Sequence, residues 1–409
     1  MPLNSHSRIR GRAAGDRPSR PSRRFLSGIA LLLGGVPASG AVLLVPEDHP
    51  TVQGAVIEAA SGDTVRISPG TYLGKVEFQG RPVWVTSTDP ENPEIVSTTV
   101  LSTEGQGTVL IFSSNEDRHC VVAGLTISGG YAPTGGGASC RGASPTLAQL
   151  RFLHNTADLG GAIFTSDGSP RIRDCQIINN RARSGGAMAF FGGAPWVERS
   201  TLEKNLAHYG GAIALRAKTS PTFQNLRIHH NGAKSAGGAI HAIGAWAEIE
   251  NCVIHHNGSL NTGGAIWASR DANLKFRHST LADNIASFAG GAVDSDLAVV
   301  QLYNSILWGD EPHEFSPLAD TVYTHWCDVD GGSSGEGDLD LDPLFFDYGP
   351  EDYLLKATSP AIDRAEEGED GLRWCNFSLD YCAANTQLAD LGAYGGPGSQ
   401  NWLPPVPAP

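Results

Sequence analysis

His241, Trp267 and Asp294 stand 26 and 27 residues apart, and each fills the same place in a short recurring motif: Gly237-Gly238-Ala239-Ile240-His241, Gly263-Gly264-Ala265-Ile266-Trp267 and Gly290-Gly291-Ala292-Val293-Asp294. Arg216 and Asp296 fall two residues beyond that place in their own copies. If the copies are strands laid side by side, the Ile or Val points inward and the next residue outward, because successive side chains alternate. All five residues then share one outward face. An aromatic ring between hydrogen-bonding groups suits stacking on a sugar, which makes Trp267 the ligand-binding candidate. The carboxylates of Asp294 and Asp296 could do acid–base work on a glycosidic bond, with His241 and Arg216 as further catalytic candidates. An ordinary solvated face would carry the same residue types.

Two other clusters invite metal chemistry. His229-His230 and His255-His256 repeat at one position of the pattern, so stacking would put the pairs about 5 Å apart, within reach of zinc. Lys204 and Asp283 fill the same column in neighbouring copies, which favours a stacked ladder at the solvent edge over a dedicated ligand row. Asp328, Asp330, Asp338, Asp340 and Asp342, among glycines, suit calcium, which takes six to eight oxygen ligands from a flexible loop. The alternation Asp338-Leu339-Asp340-Leu341-Asp342 equally suits an exposed edge strand. No cofactor is required by any motif; calcium is the ion that the acidic cluster would take.

The element that must position all of these is a repeat. Taking Gly136, Gly160, Gly185, Gly210, Gly237, Gly263 and Gly290 as marks, the spacings are 24, 25, 25, 27, 26 and 27. Asn155, Asn180, Asn205, Asn231, Asn257 and Asn284 form a second column, each three residues behind an apolar one, from Phe152 to Leu281. Eight residues before each Asn runs a third column: Leu147, Ile172, Val197, Phe223, Ile249 and Phe276. A fixed period of this length means stacked units, and short β-prone runs between Gly, Pro, Ser and Asn clusters mean strands. About 25 residues hold three short strands and three turns, each strand pairing with the next coil at about 4.8 Å. The fold class expected is all-β, a single-stranded right-handed parallel β-helix of about ten coils. Its Asn column would close turns by bonding backbone in neighbouring coils.

The GGA[IMV] and [FIL]-x-x-N repeats over Gly135–Val293 resemble those of chlamydial polymorphic outer-membrane proteins. They also resemble secreted bacterial right-handed β-helix proteins of the pectin-lyase-like superfamily. The resemblance implies the architecture and an exported or surface-exposed protein. It leaves chemistry open, because that superfamily holds lyases, hydrolases, adhesins and passive surface proteins alike. Polygalacturonase-like enzymes show Asn-Thr-Asp, Asp-Asp, Gly-His-Gly and Arg-Ile-Lys segments, none of which occurs here. Nor is there a match to the arginine and calcium-aspartate pattern of pectate lyases. A binding or scaffolding role toward glycan or a cell-surface partner is therefore the leading expectation. A polysaccharide lyase or glycoside hydrolase, acting on an acidic or neutral polysaccharide at the His241–Trp267–Asp294 face, is the alternative.

The rest of the chain fits around the repeat. Residues 1–40 hold seven arginines, an apolar stretch Phe25–Val36 and the small residues Ala38-Ser39-Gly40, which reads as an export signal. The general secretory route fits better than a twin-arginine one. A membrane anchor is the competing reading, but the apolar stretch is about half a bilayer span. Within residues 41–63, Val52, Ala55, Val56, Ala59 and Ala60 trace one helical face, a short capping helix. Residues 64–308 form the coil, with regular repeats at 135–308. Its early turns draw on Val83–Ser87, Ile95–Val100, Val109–Ser113 and Val121–Ser128. Residues 309–397 are acidic and turn-rich, an irregular C-terminal cap, and 398–409 a Pro-rich tail. The closing segments Ser359-Pro360-Ala361-Ile362-Asp363 and Asp390-Leu391-Gly392-Ala393-Tyr394 resemble those of secreted β-helix proteins. Of the seven cysteines, Cys375 and Cys382 are the disulfide candidate; Cys175 and Cys252, three coils apart, read as small core residues. The formal charge of −14 lacks the basic stripe that phosphate backbones require, which excludes nucleic acid. No segment of the mature chain is long and apolar enough to be transmembrane, and a monomer is expected.

Overall fold

The computed structural model describes residues 40–317, 321–346, 353–365 and 390–394. Four parallel sheets of 12, 11, 9 and 7 strands run the length of a solenoid of about eleven turns. Apart from Val42–Val45 and Thr64–Ile67, consecutive strands do not pair within a sheet; each bonds the one a full turn away, so Ile163–Ser166 lies between Ala138–Arg141 and Met188–Phe191. Residues 138, 163, 188, 213, 240, 266 and 293 are in register. That register aligns Gly135, not Gly136, with Gly160. The first regular spacing is therefore a full coil, like the others.

Each regular coil has four strands rather than three. In one coil these are Thr146–Ala148, Arg151–Leu153, Thr156–Leu159 and Ile163–Ser166. The unexpected strand lies between the Asn turn and the Gly-Gly corner, where small and polar residues give no apolar alternation. The three apolar columns of the repeat all fall inside one continuous core, with Ile163, Ile213, Ile240, Ile266, Phe223 and Leu202 fully buried. Burying each such side chain contributes roughly 1.5–3 kcal/mol.

Helix α1 (Val52–Glu58) packs Val52, Ala55 and Val56 into the first coils, and Thr51 caps it by accepting from Gly54 N at 3.1 Å. Ala59 is buried with that face, whereas Ala60 is exposed. Helix α2 (Pro93–Thr98) replaces most of a segment read as strand from its β-branched residues. Asn92 caps it and Pro93 occupies its first turn, a combination that pre-sets a helix start.

After Trp308 the chain closes the far end of the coil through bridges His325–Glu336 and Asp328–Leu339. Residues 353–365 and 390–394 then lie along the flank of the 11-stranded sheet, on Val253, Ala282, Ile306 and Trp308. Cys375 and Cys382, the export segment and the Pro-rich tail lie outside the described residues.

Candidate functional site

The 7-stranded and 9-stranded sheets meet at the Gly-Gly corner, and their outward residues face each other there. Gly210 has φ +62°, and a Cβ on it would come within 2.2 Å of the Ile213 carbonyl, so only glycine makes this bend. One wall is the column Phe164, Ala189, Ala214, His241, Trp267, Asp294. The other is the last column of the 7-stranded sheet, with Leu159, Ser184 and Tyr209. Phe164, Ala189 and Ala214 pack with Leu159 and Phe191 into a small apolar cluster outside the main core.

The five candidate residues therefore do not share one open face. Alternation does turn His241 outward, but into an inside corner, where it is only 2% exposed. Its ring stacks on Trp267 at 4.6 Å and 14°, and meets Tyr209 at 5.1 Å. Burial, and then the charge of Arg216, push the imidazole pKa down to about 3, so it is neutral at physiological pH. Its Nδ1 has no hydrogen-bond partner. A sealed, neutral imidazole does not reach a substrate proton. The catalytic candidate His241 is thus placed behind Trp267, its ring packed against the indole.

Trp267 and Asp294 are half-buried, while Asp296 is exposed. Asp294 and Asp296 project side by side from one strand, Val293–Asp296. Arg216 is half-buried with its guanidinium 5.9 Å from the centre of Phe191 and its Nε unpartnered. Burial lowers its pKa, and the neighbouring charges that act on it are Tyr209, Arg183 and Arg270. Arg183, Arg270 and Tyr209 escaped the sequence reading because Arg183 and Tyr209 lie across the corner and Arg270 lies just beyond the end of its strand.

The metal candidates take structural duties. His229 stacks on His255 at 4.9 Å and His230 on His256 at 5.2 Å. His229 and His255 are buried rather than at a solvent edge, and Tyr353 packs on His255. Tyr353 donates to Asp283 Oδ2 at 2.6 Å and lies 3.2 Å from His256 Nδ1. Among the acidic residues, Asp338 accepts from Cys327 N, Asp340 from Gly331 N, Asp328 from Leu341 N and Asp342 from Leu344 N. These carboxylates close turns, whereas the Asp330 side chain has no hydrogen bond among the described residues. Burial raises Asp328 to about 6. Among the described residues, no group of three or more His, Cys, Asp or Glu is placed to hold a metal ion.

The Asn column is fully buried and forms a ladder. In each rung the backbone N and Nδ2 of one Asn donate to Oδ1 of the next, and Nδ2 also reaches a carbonyl of the preceding coil. The ladder ends on Asp310, which the sequence reading missed although Leu307-x-x-Asp310 continues the apolar-x-x-Asn pattern. Asp310 N donates to Glu314 Oε1, and the second oxygen of each carboxyl has no partner.

The sequence profile described as "Right handed beta helix region" matches residues 40–281. Among solved structures, the chain is similar to that of a pectate lyase, Pel9A, with a TM-score of 0.57 and 13% identity, covering 88% of this chain and 97% of that one. That likeness concerns the fold. No curated protein sequence matches.

Proposed function

The chain belongs to the right-handed β-helix family, and from that premise we propose that it binds a polysaccharide along the Phe164–Trp267 corner without turning it over. The observation that carries this reading is the aromatic lining of the corner: Phe191, Tyr209 and Trp267 are half-buried there, over Phe164, Ala189 and Ala214, which are packed out of reach beneath them. The exposed parts of these three rings present apolar area to the faces of sugar rings at little entropic cost. From Phe164 to Trp267 the corner crosses five strands, about 19 Å at the sheet spacing, which suits a short oligosaccharide. The burial of His241 speaks for binding over chemistry.

The export signal read in residues 1–40 supports a secreted or cell-surface location, where polysaccharide is the abundant partner. No helix among the described residues is long and apolar enough to cross a membrane. The second reading, a lyase or hydrolase, is favoured by the similarity to a pectate lyase fold alone. Purified protein screened by affinity electrophoresis in uronate and neutral polysaccharides, with reducing ends and absorbance followed in parallel, tests both. Retardation without product supports binding. Product formation lost in Asp294→Ala and Asp296→Ala would replace it with catalysis at the corner's end.

A further inference from the structure

One row of the 7-stranded sheet matches itself end for end. Arg181, Leu206, Gly232, Gly258 and Ile285 are in register on successive strands, and a bridge continues the row to Glu311. Outward from the gap between the two glycines, each half gives a glycine, a branched aliphatic and then a charge. The two charges are opposite. Leu206, Leu260, Ile285 and Phe288 are between 45% and 72% exposed, and such a cluster of large apolar side chains marks an interaction site. Neither Arg181 nor Glu311 has an ion pair among the described residues. This face is separate from the corner. Leu206 and Tyr209 stand three residues apart on one strand, so the alternation that brings Tyr209 against His241 turns Leu206 the other way.

We propose that a second copy of the chain covers this face, antiparallel, across a two-fold axis that runs along the strands between Gly232 and Gly258. A two-fold interface must be self-complementary, with residue i meeting j and j meeting i. The row meets that demand: Arg181 lies beside the partner's Glu311, and Leu206 lies on the partner's Ile285. A Cβ on Gly232 would come within 2.9 Å of Leu206 Cδ2, so Leu206 leans toward the axis, where the bare backbone at the partner's Gly258 leaves room for it. The centre is then apolar and the charges sit at the rim, as in other specific interfaces. An axis along the solenoid would instead set Arg181 on Arg181 and Glu311 on Glu311, which like-charge repulsion disfavours. A uniformly anionic partner, such as a membrane surface, would meet Glu311 at the far end of the row. The charge of −14 on each copy opposes association, so a dissociation constant on the order of 10 µM is expected. The pairing is at odds with the monomer expected from the sequence, where the row is scattered over six separate segments. The corner takes no part in it, so glycan binding can fail without touching it.

The test is sedimentation velocity of the full chain over a concentration series from about 1 to 100 µM. The expected result is a reversible monomer–dimer equilibrium. Leu206→Asp should weaken it about a hundredfold, because the row then buries a carboxylate at its apolar centre. Arg181→Glu and Glu311→Arg should each weaken it about tenfold, since like charges then meet at the rim. The double variant Arg181→Glu with Glu311→Arg should recover to within about threefold of wild type, because its charges are again opposite. Melting curves separate lost association from lost folding; should Leu206→Asp melt early, Ile285→Asp takes its place with the same expected loss. A monomer throughout the series, or a dimer indifferent to both aspartate variants, would overturn the proposal. Single charge reversals that weaken the dimer without recovery in the double variant would overturn the antiparallel pairing. A monomer that floats with phosphatidylserine vesicles would replace the second copy with an anionic membrane.

Discussion

Asn284 donates both its backbone N and its Nδ2 to Oδ1 of Asp310, at 2.6 and 2.8 Å, so a carboxylate terminates a ladder built of amides. The Asp310 side chain is buried against Glu314. Burial raises Asp310 to about 7 and, with the adjacent Asp310 charge, Glu314 to about 11. A proton held between the two carboxyls would satisfy both. The unfolded chain releases these protons near pH 4, whereas the folded pair keeps them longer. Stability from this pair is therefore complete below about pH 4 and declines as pH rises through about 7. Asp310→Asn keeps the acceptor for Asn284 and supplies a permanent donor toward Glu314. Its melting temperature should fall less than wild type between about pH 5 and pH 8. Parallel slopes for the two proteins over that range would refute the shared proton.

The middle of the ladder should be costlier to break. Asn205 accepts from both Asn180 N and Nδ2, and donates to Ile177 O and Asn231 Oδ1. Asn205→Ala strands several buried donors and acceptors at once, with a cost of about 3 kcal/mol. Denaturant unfolding reads this directly. A midpoint within error of wild type would mean that water replaces the ladder.

The flank residues predict the opposite pH response. Burial, chiefly, pushes His255 down to about 2 and His278 down to about 4, and Tyr353 packs on His255. The unfolded chain takes up protons below about pH 6.5 that these folded histidines refuse, so their contribution is present at neutral pH and lost as pH falls toward their folded values. The charged groups around them are Arg227, Arg277, His229, His230, His256, Asp283 and Asp390. Acidification from about pH 7 to pH 5 should loosen residues 353–365 before the coil, seen as earlier hydrogen exchange there. His255→Phe should delay the change. Uniform exchange of flank and coil on acidification would count against the flank as the sensitive part.

The sequence exposed the core but not the corner. Ile163, Ile213, Ile240 and Ile266 could be placed inside because a two-residue alternation repeats at the coil period, and packing demands one inward row. Whether the outward neighbour meets water depends on the angle between two strands. That angle is set by the φ of Gly210 and its equivalents, which residue identity permits but does not announce. Hence His241 was placed outward and assigned solvent it does not have. Thr156–Leu159 hid a fourth strand because a strand carrying Ala, Asp and Thr lacks a pattern to recognise. Tyr353 covering His255 is a contact across nearly a hundred residues, invisible to any local signal.

The corner itself is testable through Gly210. Gly210→Ala must hold φ +62° and push its Cβ against the Ile213 carbonyl, a cost of about 2 kcal/mol or more. Gly232→Ala is the control, since a Cβ there meets only the movable end of Leu206 and no positive φ is needed. A clear drop in melting temperature for the first and little for the second is expected. Equal effects would show that the bend tolerates a side chain.

His241 offers the sharpest separation of support from chemistry. Its ring fills the space between Tyr209 and Trp267, yet its Nδ1 is buried without a partner. Such an orphan costs about 1–3 kcal/mol. His241→Phe keeps the stack and removes the orphan, so it should melt higher and bind oligosaccharide as wild type does. His241→Ala removes the ring on which Trp267 rests; affinity should fall about as far as in Trp267→Ala, though His241 itself is only 2% exposed. Titration of the three variants with one oligosaccharide decides the matter. Loss of affinity in His241→Phe with an unchanged fold would assign the imidazole a direct part in the contact, and the corner would then be a site of chemistry after all.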